Sequence, residues 1–237
     1  MFHEPAPTVA VAFPDVYYTA PLAPGLRVRG DLQLESLDMP TLLARAGAGA
    51  YGCMLLPPHA LVAHGPFRLL PGMGVVAEEA TGSERLLTTR PLDQIACVSA
   101  MPSAAHLVPL VTLLFLERGL APPTFVDTEE PDAVPLVSGD TGLARLEEAG
   151  HDLGVLWRET TELPLVLGAW ACVQGAPHRL LRMVVGEASR GASENSGAPR
   201  GIHYTILSRE SDSLRAYLGL LAKHGLAEAT EEAIAFC

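Results

Sequence analysis

Ser103 and His106 stand three residues apart at the head of a long apolar run, a spacing that a helix turns onto one face. A hydroxyl and an imidazole beside the free N–H donors of a helix N-terminus make a place for an anion or a proton transfer. A capping Ser and a His packed on the next turn account for the same pair equally well. Asp140 ends an apolar stretch in Ser138-Gly139-Asp140-Thr141-Gly142. The carboxyl ends of strands are where open α/β sheets present binding groups, and a helix N-cap is the simpler role for this Asp. Tyr17 and Tyr18 are adjacent aromatics that either line a pocket for a ring-shaped metabolite or cover the edge of the core. His59 and His64 lie five apart without an acidic or Cys companion, so packing or solvation is preferred to a metal pair.

Other chemistry lacks its signature. The chain has no GxxxxGK[ST], no GxSxG and no HExxH, and Gly72-Met73-Gly74 lacks the third glycine of a dinucleotide fingerprint. The 237 residues are 49% hydrophobic and 18% charged, enough to bury one large core or two small ones. With Lys+Arg 16 against Asp+Glu 27 and a net charge of -11, no cationic surface is available for nucleic acid. A few local donors still suffice for a small anion, because salt screens distant charge. Met1-Phe2-His3-Glu4-Pro5 lacks the basic and apolar regions of a secretory signal, which points to the cytoplasm. The longest apolar stretch, Leu107 to Leu116, is about half the roughly twenty residues that a membrane span needs. Cys53, Cys97, Cys172 and Cys237 are far apart and read as free thiols, three of them in apolar runs.

The elements that must position these groups alternate. Strands are expected at Thr8–Phe13, Arg27–Leu34, Cys53–Leu56, Arg68–Ala77, Arg85–Thr89, Ile95–Ser99, Thr124–Val126 and Val134–Val137, and again from Leu165 to Val173. Helices are expected from Met39, with Pro40 in the first turn, from Ser103 to Arg118 before Gly119, after Asp152, and from Ser213 to His224 before Gly225. Residues 186–201, rich in Gly, Ala, Ser and Asn without apolar periodicity, read as a mobile surface loop. The alternation argues for parallel sheets with crossover helices.

Two long segments carry a further resemblance: Phe67-Arg68-Leu69-Leu70-Pro71-Gly72-Met73-Gly74-Val75, and Asp152-Leu153-Gly154 continuing through Trp157, Thr160-Thr161, Leu163-Pro164 and Ala169-Trp170-Ala171. Arg90 to Ile95, Ser138 to Leu143 and Ile202-His203-Tyr204 support it. Together they resemble the chorismate dehydratase family of menaquinone biosynthesis over nearly the whole chain. The resemblance implies a two-lobed α/β fold of the type II periplasmic-binding-protein kind, with the ligand cleft between the lobes. Lobe one is expected from residues 1–90 plus 169–237, and lobe two from the inserted residues 91–168. It implies a cofactor-free carbon–oxygen lyase that removes water from chorismate, a small carboxylate metabolite, to give 3-enolpyruvylbenzoate. The alternative is a cytoplasmic binding or sensor protein of the same fold without turnover.

Among site residues, Ser83 matches the family position before the strand entering the second lobe, and Ser103 matches the start of the anion-binding helix. Tyr18 and Thr19 fall in the segment that matches the family's YLNxxP motif, and Asp140 falls in a matching strand end. Tyr18 stands where the family has Asn, Pro58 where it has Ser, Gly52 where it has Asp, and His106 where it has the second Ser of SxxS. His106 is therefore the expected acid, base or carboxylate contact, and no metal is expected.

Overall fold

Val11 and Ala12 are fully buried in β1 (Val9–Pro14), as a β-branched apolar run must be in a sheet covered on both faces. The computed structural model describes residues 8–27, 30–194, 199–227 and 234–236. After β1 come α1 (Ala23–Arg27), β2 (Leu32–Leu37), α2 (Met39–Gly47), β3 (Cys53–Leu56), α3 (Pro58–Ala63) and the long β4 (Phe67–Ala77). Asp38 starts α2 by accepting from the Thr41 N–H at 2.9 Å. Pro40 sits in that first turn, where its missing N–H leaves no helical bond unmade.

A second group of elements follows: β5 (Arg85–Leu86), β6 (Cys97–Ala100), α4 (Val108–Glu117), β7 (Thr124–Val126), β8 (Val134–Val137), α5 (Gly139–Ala144), β9 (His151–Asp152) and α6 (Leu153–Thr161). The chain then returns through β10 (Leu165–Cys172), α7 (His178–Glu194), β11 (Ile202–Thr205), α8 (Ser208–Lys223) and β12 (Ile234–Phe236).

Two sheets result. The first runs β11-β4-β10-β3-β1-β2 with β12 also on β4; β1 is parallel to β2 and β3, whereas β10 is antiparallel to β3 and β4. The second runs β7-β6-β8-β5-β9, with β6 parallel to both neighbours. The chain passes between them twice, after Ala77 and again before Leu165, which makes a two-lobed α/β molecule. Both crossings precede the expected positions of 90 and 169. Arg85 is buried in the second sheet, its guanidinium donating to the carbonyls of Arg145 and Glu148 at 2.9 and 2.6 Å.

Local structure departs from expectation at several element ends: the strand expected over Arg85–Thr89 stops at Leu86, and the helix expected from Ser213 begins at Ser208. The second strand begins at Leu32 because residues up to Arg27 wind into α1; residues 28 and 29 lie outside the described residues. The helix expected from Ser103 begins at Val108, after a 3-10 turn at Ala105–Leu107, with Pro109 fixing its first turn. Residues 186–194 are not a loop but the second half of α7, where Ala188, Ser189 and Ala192 are buried. Small side chains are required there: a Cβ on Gly25 of α1 would lie 2.7 Å from the Ala188 Cα, so the two backbones nearly touch. Residues 195–198 lie outside the described residues. Cys53 and Cys172 are buried cysteines whose sulfurs lie 3.3 Å apart across β3 and β10, Cys97 is a half-buried free thiol, and Cys237 lies outside the described residues.

Packing tolerance at two glycines tests this architecture. A Cβ on Gly142 would fall 1.8 Å from the Ser83 carbonyl oxygen, whereas one on Gly191 in α7 would meet nothing within 4 Å. In urea unfolding followed by circular dichroism, Gly142→Ala is expected to destabilise by about 3 kcal/mol. Gly191→Ala is expected to stabilise by about 0.4–1 kcal/mol.

Candidate active site between the lobes

The first crossing is held by one carboxylate. Asp152 caps α6, its Oδ1 accepting from the N–H of Gly154 at 2.8 Å and of Val155 at 3.2 Å. The same side chain accepts from Thr81 N–H at 2.9 Å, Thr81 hydroxyl at 3.0 Å and Gly82 N–H at 2.7 Å. Gly82 supplies the positive φ of 76° that lets the chain turn here. Thr81 Oγ1 in turn accepts from the N–H of Glu84 at 2.9 Å. The turn thus aims Glu84 inward, fully buried, at the start of α5.

Glu84 is incompletely paired. Its Oε1 accepts from the Ser83 hydroxyl at 3.2 Å and from Gly139 N–H at 3.4 Å, and its buried Oε2 has no partner. Burial, only partly offset by contacts to Ser138, Gly139 and Ser83, raises its pKa from 4.5 to about 7. Beside it, Nε2 of the buried His106 lies 3.5 Å from Ser138 Oγ, and Nδ1 has no partner. Burial first, and His59 second, lower the pKa of His106 to about 3, so it is a neutral imidazole at working pH. Burial likewise lowers His59 to about 4, with His64 adding to the shift. Both unpartnered atoms belong to residues lining a cavity of about 20 Å³ between the lobes, which Tyr18, Pro58, His59 and Tyr217 line from the other side. That volume holds about one water molecule. A protonated carboxyl beside neutral imidazoles can donate and accept a proton or a hydrogen bond without a resident charge.

The predicted residues fare unequally. Tyr18 reaches the cavity and packs edge-on against Tyr17 at 5.4 Å. Ser83 positions Glu84. Thr19 spends its hydroxyl on the carbonyls of Pro14 and Val16 at 2.5 and 2.9 Å. Asp140 is exposed in the first turn of α5, whose N-cap position is Ser138, and it accepts from Tyr17 N–H at 3.2 Å, a bond from one lobe to the other. Ser103 is exposed, does not cap α4, and lines a separate crevice of about 420 Å³ with Ser99, Thr141 and Arg145 at the strand ends of the second sheet. The residue that sequence reasoning missed is Glu84. Its signal was present: an acid directly after Ser83, next to a strand whose residues are both buried.

Two sheets joined by two crossings, with a polar cavity between them, define the periplasmic-binding-protein class, and solved structures agree. A protein from Archaeoglobus fulgidus superposes with a TM-score of 0.64 at 14% identity, covering 92% of this chain and 98% of that one. The alkanesulfonate-binding protein SsuA from Xanthomonas axonopodis pv. citri, bound to MOPS, gives 0.64 at 14% identity and covers 100% of both chains. A Candida albicans gene product described as having the generic periplasmic binding protein fold gives 0.52 at 12% identity, covering 96% of this chain and 93% of that one. No curated protein matches by sequence. The model of the menaquinone biosynthesis family matches residues 10–199, and the chain belongs to that family. Among the described residues no helix is long and apolar enough to cross a membrane.

Ionisation of Glu84 should be visible in stability. Its folded pKa of about 7 exceeds the ordinary 4.5, so the folded protein holds the extra proton. The stability this contributes is complete below about pH 4.5 and is lost as pH rises through 7. Glu84→Gln never ionises, so its Tm relative to the parent should climb by roughly 4 °C or more between pH 5 and pH 8 by scanning calorimetry. A difference that does not change with pH would contradict the burial of an ionisable carboxyl.

Proposed function

We propose that this member of the menaquinone biosynthesis family dehydrates chorismate to 3-enolpyruvylbenzoate, with Glu84 as the acid. One observation carries the reading: a buried carboxyl with an unpartnered oxygen, protonated up to about pH 7, lines the cavity between the lobes beside a neutral His106. Loss of water removes a ring proton and a hydroxyl from neighbouring carbons and leaves an aromatic ring. Glu84 gives its proton to the departing hydroxyl, which leaves as water, and the carboxylate so formed takes the ring proton. The side chain is restored at the end of each turnover. His106 orients the substrate through its free Nδ1, and Tyr18 lies against the ring.

The cavity holds far less than a ring-bearing acid requires, so the substrate enters when the lobes part about the crossings at residues 77–85 and 161–165. Closure then excludes water from the reacting centre. Recognition of an anion in this acidic chain falls to neutral donors, because neither Lys nor Arg lines the cavity. The sulfonate-binding neighbours of the same fold support a small acid as ligand.

Purified protein incubated with chorismate should yield 3-enolpyruvylbenzoate by liquid chromatography and mass spectrometry. The value of kcat/KM should fall as pH rises through about 7, where Glu84 ionises. Glu84→Gln should lower kcat by about 10²- to 10⁴-fold while keeping the fold. Binding of chorismate without product at pH 6 would assign the cleft to a sensor instead.

A further inference from the structure

We propose that Glu78, His203 and Glu210 form a binding site for a divalent first-row transition ion, Zn²⁺ foremost, at the point where β4 ends and the chain leaves the first sheet. Their ligand atoms, one from each residue, lie within 4.8 Å of one another. His203 Nε2 is 3.7 Å from Glu78 Oε2, close to the separation of two ligands on one tetrahedral zinc.

What distinguishes the group from a surface cluster is that each side chain is held from behind. Glu78 Oε1 accepts from Arg209 at 2.8 Å and from Arg158 at 3.4 Å, which leaves Oε2 turned toward His203. His203 Nδ1 lies 3.5 Å from the Thr205 hydroxyl, which leaves Nε2 outward. Glu210 Oε2 accepts from Leu207 N–H at 2.8 Å at the start of α8. Such outer contacts orient metal ligands and fix the imidazole tautomer.

Glu210 supplies an independent sign. It is only 8% exposed, and among the described residues it has no cationic side chain in ion-pair distance, since both arginines go to Glu78. The capping bond at the start of α8 offsets part of the cost of burying this carboxylate, and a cation shared with its two neighbours supplies the counter-charge it lacks. One imidazole and two carboxylates suit Zn²⁺, Co²⁺ or Mn²⁺, with a fourth position left to water. Bound there, the ion would clasp the end of β4 to β11 and α8, beside the first crossing. Glu78 stands more than a hundred positions before His203 and Glu210, which is why no spacing motif announces the three.

The test uses the full chain after chelator treatment. Saturating Zn²⁺ should raise Tm by roughly 5 °C or more, Mg²⁺ should not, and Co²⁺ should develop a visible d–d band. His203→Gln and Glu78→Gln, each folded by circular dichroism, should lose both responses, while Glu84→Gln should keep them because it lies in the other site. Absence of a Tm rise and of a Co²⁺ band in the parent would overturn the proposal. So would undiminished responses in either ligand variant, which would place the ion elsewhere and leave this group an ion-pair network.

Discussion

The carboxylate of Asp152 is the constraint on which the site depends. One side chain accepts from five donors, two at the head of α6 and three in the turn that leaves the first sheet. Hydrogen bonds to a charged acceptor are roughly twice as strong as neutral ones, and the positive end of α6 adds to them. The two halves of the contact belong to segments seventy residues apart, so the helix start and the turn are fixed against each other. Through Thr81 the same network reaches the backbone of Glu84. Five donors around Asp152 allow the chain to aim a second acid, two residues beyond the turn, at a cavity whose donors are all neutral.

The contrast between the two acids shows how environment divides a shared chemistry. Asp152 is half-buried and met by five N–H and O–H donors. Glu84 is fully enclosed, and its contacts to the Ser138 and Ser83 hydroxyls and the Gly139 N–H only partly offset that burial, which favours the protonated form. The neutral histidines answer the same enclosure from the opposite side, since burial lowers their pKa as it raises that of the acid. A pocket assembled from neutral groups does not repel an anion even in a chain of net charge -11.

Much of the fold was legible because patterning and end signals agreed. Cys53–Leu56 and Thr124–Val126 are strands at the expected residues, and α2 begins at the Asp-Met-Pro that marks a helix start. The half of α7 that was read as loop shows the limit of composition. Gly186, Ala188, Ser189, Gly191 and Ala192 look like linker residues, yet Ala188, Ser189 and Ala192 are buried, and Ala188 is small because α1 passes so close at Gly25. The site was legible only at its rim. Tyr18 and His106, expected from local type and family likeness, line the cavity, and Ser83 adjoins it. Glu84 carries no signal in local pattern, because the tertiary closure of Gly142 and Gly139 over its turn is what buries it.

Of the four positions at which this chain departs from the pattern it resembles, Tyr18, Pro58 and His106 line the same cavity as that acid, and Gly52 packs against Val9 instead. Pro58, where relatives carry Ser, opens α3 without an N–H or a hydroxyl, and with Tyr18 it makes the first-lobe wall of the cavity less polar. Both changes deepen the burial of whatever faces them. His106, in place of a second Ser, returns one adaptable polar group to that drier wall, with a ring nitrogen free of any protein partner. A drier wall raises the pKa of a carboxyl, and a neutral imidazole beside it adds no charge to reverse the shift. Glu84, a buried acid that keeps its proton up to about pH 7, thus faces a wall whose one imidazole stays uncharged.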